Sequence, residues 1–244
     1  MEKKFLSLSL LSLLFIFSGV TYSEEQIPTD VFGSPPLIGT VKISPSGEKI
    51  AMYATLQNGD SAILVRDLNE NKPLRPIATS DNRTLKLLSF NWFNDDIILA
   101  SAWLAADFYG TKLDNTRLLR INVDGTGFEP LFKKRHFKDL PWQPPQQTGI
   151  IDWLEDDDDH ILVSVRVSNM RSPDVVKVNV KKNTIKIIKK GVAGTSGWMT
   201  DEYGEVRIGY TYDRNRSAGS IIFKDHGSTT VSYTHLTLPT ILLV

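Results

Sequence analysis

From about residue 24 onward, apolar and polar positions alternate over short runs of roughly six to eight residues, separated by clusters of Gly, Pro, Asn, Asp and Ser. A period of two sends successive side chains to opposite faces of a strand, whereas an amphipathic helix needs apolar residues at i, i+3, i+4 and i+7. Helical spacing is scarce, so the pattern predicts an all-β chain.

The runs fall into four clusters with one internal order: an anchor segment, a strand, a variable loop, a second strand, a tight turn and a short third strand. The first opens on Ile43-Ser44-Pro45-Ser46-Gly47, where Pro and Gly set a turn, and continues with Lys49 to Thr55, Ala62 to Leu68 and Leu74 to Ala78. The second runs Leu85 to Trp92, Ile97 to Trp103, Arg117 to Val123, a hairpin at Asp124-Gly125, and Phe128 to Phe132. The third contains Gly149 to Leu154, His160 to Val167, Asp174 to Val180 and Thr184 to Lys189. The last has Gly197 to Asp201, Glu205 to Tyr212 and Gly219 to Lys224, and is expected to lack its outer strand.

Pro45, Trp92, Trp153 and Met199 hold matching places in these clusters, spaced by roughly 47, 61 and 46 residues, close to the length of one four-stranded propeller blade. Two insertions, Leu104 to Asn115 and the Pro-rich stretch Lys133 to Gln147, account for the long interval. A β-sandwich also has many short strands but does not predict a repeated strand and turn order. The expected fold is an incomplete β-propeller of about four blades, made of antiparallel four-stranded sheets.

Residues 1 to 23 read as a signal peptide. Lys3 and Lys4 supply the positive end and Phe5 to Phe17 an apolar stretch too short to span roughly 30 Å of hydrocarbon as a helix. Thr21 and Ser23 are small residues spaced for cleavage between Ser23 and Glu24. An uncleaved anchor helix is the alternative. The domain reading is signal 1–23, partial propeller 24–228 and a tail 229–244 of non-native character. The tail breaks in composition from the body, ends nearly uncharged and apolar, and resembles translated library adapter sequence appended to truncated reading frames. A real final strand is its alternative, since Thr, Val and Ile favour strands. About four blades with an incomplete last one read as the front part of a larger protein.

Among 244 residues, 28 Lys+Arg balance 28 Asp+Glu, which gives no whole-protein field to attract nucleic acid or anionic lipid. The absence of Cys excludes disulfides, thiolate zinc sites, iron–sulfur clusters, cysteine nucleophiles and cysteine-linked lipid anchors. No Gly-x-Ser-x-Gly elbow occurs, and Gly194-Thr195-Ser196-Gly197 reads as a turn. His136, His160, His226 and His235 are isolated, so no metal site is expected, and His160 reads as a half-exposed strand residue. The run Glu155 to Asp159 lacks the alternating ligands and the glycine of a calcium loop and reads as a solvated turn. Asn82-Arg83-Thr84 and Asn215-Arg216-Ser217 are formal glycosylation acceptors that would mean little in a bacterial protein. No catalytic residue, cofactor or metal ligand is expected. Trp92, Trp153 and Trp198 read as core beside blade anchors, while Trp142, among prolines in the longest insertion, is the candidate for contact with a substrate or partner.

Phe32-Gly33-Ser34-Pro35-Pro36 followed by Ile43-Ser44-Pro45-Ser46-Gly47-Glu48-Lys49-Ile50-Ala51 resembles the opening of exported bacterial serine peptidases of the prolyl oligopeptidase family, which includes dipeptidyl and acylaminoacyl peptidases. Phe90-Asn91-Trp92 with Asp95-Asp96-Ile97, Leu119 to Gly125, Ile150 to Leu154, and Met199-Thr200-Asp201 with Gly204 to Arg207 are similar, in order, to its later blade landmarks. The resemblance covers about residues 30 to 225. It implies a propeller that caps an α/β-hydrolase domain and restricts access to small peptides, and none of that domain's Ser-Asp-His triad maps onto this chain. The expected role is a substrate-gating scaffold, periplasmic or secreted, inactive alone, with peptide substrate met through the missing catalytic domain. No nucleic acid partner is expected, nor a membrane after signal cleavage. The alternative is a stand-alone periplasmic binding or scaffold propeller.

Overall fold

Alternating sequence becomes strand wherever one face can be buried and the ladder closed by short turns. A computed structural model of the chain describes residues 33, 36–105, 107–108, 111–112, 114–213, 218–224 and 231–237. The proposed signal segment, with Ser23 and Glu24, lies outside the described residues. Residues Pro36–Val244 form one compact unit.

The first sheet is a meander of β1 (Ile38–Ile43), β2 (Lys49–Thr55), β3 (Ser61–Asp67) and β4 (Arg75–Ser80). The second contains β5 (Leu85–Asn94) and β6 (Ile97–Leu104). A short ribbon follows, β7 (Asp107–Phe108) with β8 (Thr111–Lys112), and then β9 (Asn115–Asn122) and β10 (Phe128–Pro130) complete the sheet in the order β10-β9-β6-β5. The third comprises β11 (Ile150–Asp152), β12 (His160–Val165), β13 (Asp174–Asn179) and β14 (Thr184–Lys189), and the fourth β15 (Thr195–Thr200), β16 (Val206–Asp213), β17 (Ala218–Lys224) and β18 (Val231–Thr237). Every pair within these sheets is antiparallel. Four sheets stacked in chain order give an all-β, incomplete propeller of about four blades.

Turn chemistry fixes the register. Gly47 (φ 80°) closes the Ser44 to Gly47 turn, donating its N–H to Ser44 O at 2.9 Å, and Gly125 (φ 85°) does the same for Asn122 O at 2.9 Å. Both lie in the left-handed region where a Cβ is strained. The strand that follows the first anchor and the last strand of the third cluster, Lys49–Thr55 and Thr184–Lys189, have the ends the alternation predicts.

Two expectations are corrected. The first anchor contributes a full inner strand, Ile38–Ile43, before the Pro45 turn. The fourth sheet has its outer strand: Val231–Thr237, inside the segment read as a tail, pairs with β17 from Lys224↔Val231 to Ala218↔Thr237. Val, Ser, Tyr and Thr alternate there, and the open edge of β17 is a template for any such segment.

Between sheets lie the apolar layers. Ala51, Ile63 and Val65 of the first sheet pack on Phe90, Trp92, Ile98 and Leu119 of the second. Ile97, Leu99 and Leu118 on its other face meet Ile161, Val163, Val176 and Val178 of the third. Leu162 and Val175 meet Trp198 of the fourth. Trp92 and Trp198 are buried as expected; Trp153 is half-buried and packs against the second of these layers.

Candidate functional site

In a four-stranded meander the first and third turns share one end of the sheet. Contacts across sheets show that this end is common to the stack. Ser46, in the β1–β2 turn, donates its backbone N–H at 3.1 Å and its hydroxyl at 2.8 Å to Asp95 in the β5–β6 turn. Arg75 Nη2 donates to Val123 O at 2.5 Å, and Arg120 Nη1 to Lys181 O, in the β13–β14 turn, at 3.3 Å.

These turns enclose a cleft of about 510 Å³ lined by Lys49, Arg66, Lys72, Arg75, Arg120 and Lys181 and, in smaller number, by Asp67, Glu70, Asp96 and Asp124. The Lys49 ammonium donates to Asp95 O at 3.0 Å and lies 3.5 Å from Asp96. Burial pushes the Asp95 carboxyl up, but the hydrogen bonds from Ser46 and Ser44 and the Lys49 charge together outweigh it and hold the group below the usual carboxylate range. Arg120 also donates to Asn122 Oδ1 at 3.0 Å and sits 3.6 Å from Glu129, and its Nε is buried with no hydrogen-bond acceptor. The Lys133 hydrogen bond holds the Glu129 carboxyl low. Such a cleft can hold polar or anionic groups; it contains no pairing of nucleophile with base.

A second cleft at the same end, of about 500 Å³, lies between the β11–β12 and β15–β16 turns and is acidic, with Asp152, Glu155, Asp156, Asp157, Asp201 and Glu202 beside Trp153 and Tyr203. Leu154 adopts φ 51° there, a left-handed conformation unusual for a branched side chain. The run Glu155 to Asp159 forms the expected turn, with Asp157 ion-paired to Lys177 at 2.7 Å and Asp159 to Lys181 at 2.7 Å. No group of three or more His, Cys, Asp or Glu among the described residues is arranged to hold a metal ion.

His160 is half-buried, as expected of a strand opening, and its Nδ1 lies 2.8 Å from Asp157 Oδ1. A His–Asp pair is half of a hydrolytic relay, but a working base needs its second nitrogen facing a nucleophile. Here Nε2 is 3.2 Å from Asn179 Nδ2. The pair therefore pins the start of β12 to β13 and to the acidic turn. Asn82, the first formal glycosylation acceptor, has its amide tied to Gly59 O and Ser61 Oγ at 2.9 and 2.8 Å, so it is a turn residue; Asn215 lies outside the described residues.

Trp142 is 49% exposed. Its insertion contains a 3-10 turn, Lys134–Phe137, and returns to bridge Gln146 to Thr116, extending the edge of β9 beyond the end of β10. Arg117 clamps the return through Pro145 O at 2.9 Å and Pro144 O at 3.4 Å, and burial lowers its basicity. Trp142 is not among the residues lining either cleft.

Sequence reasoning missed the cations of the first cleft and also Asp174, which is 0% exposed. Burial raises the Asp174 carboxyl, yet hydrogen bonds from Gly191 N (2.8 Å), Ser168 Oγ and N (2.7 and 2.8 Å) and Val167 N (2.9 Å) overcome this and lower it. Its place directly after Pro173, at the mouth of a loop that must fold back, was the available signal.

No protein-family model and no curated protein matches the chain. Solved structures similar to it include a puromycin-hydrolyzing peptidase from Mycobacterium tuberculosis, at 12% identity and TM-score 0.45, with 82% of this chain and 29% of that one covered. A protein described as a putative TolB from Agrobacterium tumefaciens is similar at 14% identity and TM-score 0.41, covering 82% and 66%. An oligogalacturonate lyase in complex with manganese is similar at 10% identity and TM-score 0.42, covering 85% and 67%. The chain spans about a third of the length of the peptidase and about two thirds of the other two. Among the described residues no helix is long and apolar enough to cross a membrane.

Proposed function

We propose that the chain is the N-terminal propeller region of an exported serine peptidase of the prolyl oligopeptidase family, a substrate-gating scaffold whose catalytic α/β-hydrolase domain lies on a longer chain. One observation carries this reading: the colinear landmarks fall at repeating places in the sheets. Trp92 and Trp198 lie on the first strands of the second and fourth sheets, Trp153 directly follows that of the third, and the Ser-Pro-Ser-Gly turn follows that of the first. In this role the stacked sheets contribute shape and a charged turn face, and the intact protein would hydrolyse small peptides through an acyl-enzyme. Export to the periplasm or beyond, with cleavage between Ser23 and Glu24, belongs to the same proposal.

Sequencing the source DNA across the codons for Lys224 to Val244 and about 1.5 kilobases beyond, enough for a hydrolase domain of ordinary size, tests it. A frame continuing into Gly-x-Ser-x-Gly is the expected result, and a genuine stop codon after Val244 overturns the peptidase reading. The second reading, a stand-alone binding propeller, is favoured by the fourth strand of the last sheet and by the cation-rich cleft at the turn face. It predicts that stop codon together with a cooperatively folding chain.

A further inference from the structure

The cations of the first cleft on the turn face are not spread evenly. Cross-strand partners project to one side of a sheet, so register shows where each cation points. Lys49, opposite Asp67, and Arg75, opposite Val65, lie on the side of the first sheet that packs on the second. Arg120, opposite Leu99, lies on the side of the second sheet that packs on the third, and its Nη1 donates to Lys181 O at 3.3 Å. The cleft therefore holds two cation pairs, Lys49 with Arg75 at the first boundary between sheets and Arg120 with Lys181 at the second.

In each pair one cation is recessed and loosely matched. The Lys49 and Arg120 side chains are only 21% and 20% exposed. The carboxylates that reach them stand off at 3.5 Å (Asp96, itself 89% exposed) and 3.6 Å (Glu129, which Lys133 already holds at 2.5 Å). The other carboxylates of the cleft are engaged elsewhere: Glu70 by Lys72 at 2.9 Å, Asp124 by the Thr126 hydroxyl and N–H at 2.6 and 2.8 Å, and Asp67 by Asn69 N at 2.9 Å. A cation taken out of water without a close counter-ion gains from an anion that joins it there. Arg75 is exposed, and the Lys181–Asp159 pair is about half exposed on both sides, so these two cations can turn toward a ligand at little cost.

We propose that the cleft binds a small molecule carrying two oxyanionic groups, phosphate or carboxylate, one seated at each cation pair. Packed sheets lie about 10 Å apart, which sets the spacing of the two groups. A single inorganic anion can meet only one pair, whereas about 510 Å³ suits a compact bis-anion with a polar body between its charges. Asp96 and Asp124, in the β5–β6 and β9–β10 turns of the second sheet, stand between the pairs. They oppose a continuous polyanion such as a nucleic acid backbone and leave the two ends as the favourable seats. Arg75 and Arg120 offer planar forks that fit either oxyanion. The inference rests on neither reading of the function, because the turns of the first three sheets build the cleft in both.

Isothermal titration of the full chain in chloride buffer with inorganic phosphate, fructose bisphosphate and octanedioate tests it. The expected result is one-to-one binding of a bis-anion at least about 10-fold tighter than phosphate, because the second group binds at high effective concentration. Tighter binding of the bisphosphate identifies phosphate esters as the ligand class, tighter binding of the dicarboxylate identifies carboxylates, and equal affinities assign the oxyanion chemistry they share. Lys49→Gln and Arg120→Gln each remove one seat and are expected to bring bis-anion affinity down to that of phosphate. Lys186→Gln, on β14 and outside the cleft, is expected to change nothing. Arg75→Gln and Lys181→Gln, at exposed positions of the same pairs, replace either cleft variant whose circular dichroism shows lost strands. The proposal is overturned if neither bis-anion binds below about 10 mM, or if neither binds more tightly than phosphate. Cleft variants that leave affinity unchanged, or a Lys186→Gln loss as large as theirs, overturn it as well.

Discussion

The boundary between the second and third sheets and the boundary between the third and fourth are built to different depths. The former buries a continuous layer that runs from Ile97, Leu99 and Leu118 through Phe132 and Phe137 to Val163 and Val178. Among the described residues, the clustered buried part of the latter is Leu162, Val175 and Trp198, with Ile151, Leu154, Val192 and Val206 half-buried around them and Ile222 buried on the same side of the fourth sheet as Trp198. Apolar area removed from water scales with stabilisation, so the middle of the stack is its rigid part and the fourth sheet is attached mainly through one large ring, its indole hydrogen bond and the Ile222 side chain beside it. Stability in a stacked array is a sum of local terms, and this one is uneven.

The comparison breaks most decisively at the middle. Val163→Asp places an unpaired carboxylate in the deep layer at a site 0% exposed. It is expected to cost more than about 4 kcal/mol and to abolish the cooperative denaturant transition. Trp198→Ala sharpens the contrast: a loss of about 3–5 kcal/mol is expected by cavity arithmetic, confined to one end. Hydrogen exchange reads this as lost protection in 195–211 with protection retained in β12 and β13. Uniform loss across all four sheets would show that the two boundaries are one cooperative unit.

Asp174→Asn is expected to cost about 1–3 kcal/mol, because an amide accepts from Gly191, Ser168 and Val167 through one oxygen where the carboxylate uses two. Since the folded-state carboxyl titrates below its unfolded value, its contribution is complete above the ordinary carboxylate range. That contribution is lost as pH falls through the folded value, so the variant should show a flatter acid limb in melting temperature against pH. The smallest effect is at the turn face: Ser46→Ala removes an exposed link between the first two sheets and should shift stability by less than about 1 kcal/mol. A larger loss would mean that the turns, and not the apolar layers, hold those sheets together.

Much of the sheet order was legible because alternation and turn residues are local signals. Lys49–Thr55 needs only its own pattern and the Gly47 turn before it. The outer strand Val231–Thr237 was harder, since a nearly uncharged segment without a preceding hairpin signal reads as a tail until an open edge is there to receive it. The cleft was not legible at all. Lys49, Arg75, Arg120 and Lys181 come from four turns or strand ends in three sheets, and only stacking brings them together. Asp174 was invisible for a related reason: its value lies in backbone donors up to 17 residues away, Gly191 the most distant.

The sheet order also has a kinetic meaning. Among the described residues every four-stranded sheet is assembled from consecutive segments, with no strand borrowed from another of them. The loops closed in pairing strands are therefore short, and short loops cost little entropy to close. A chain made from its N-terminus can complete the first sheet before the second is synthesised, each finished sheet presenting the apolar face that its successor covers as the surface on which the next one condenses. Folding then proceeds in the direction of translation, and the growing end is the apolar face least covered at every stage.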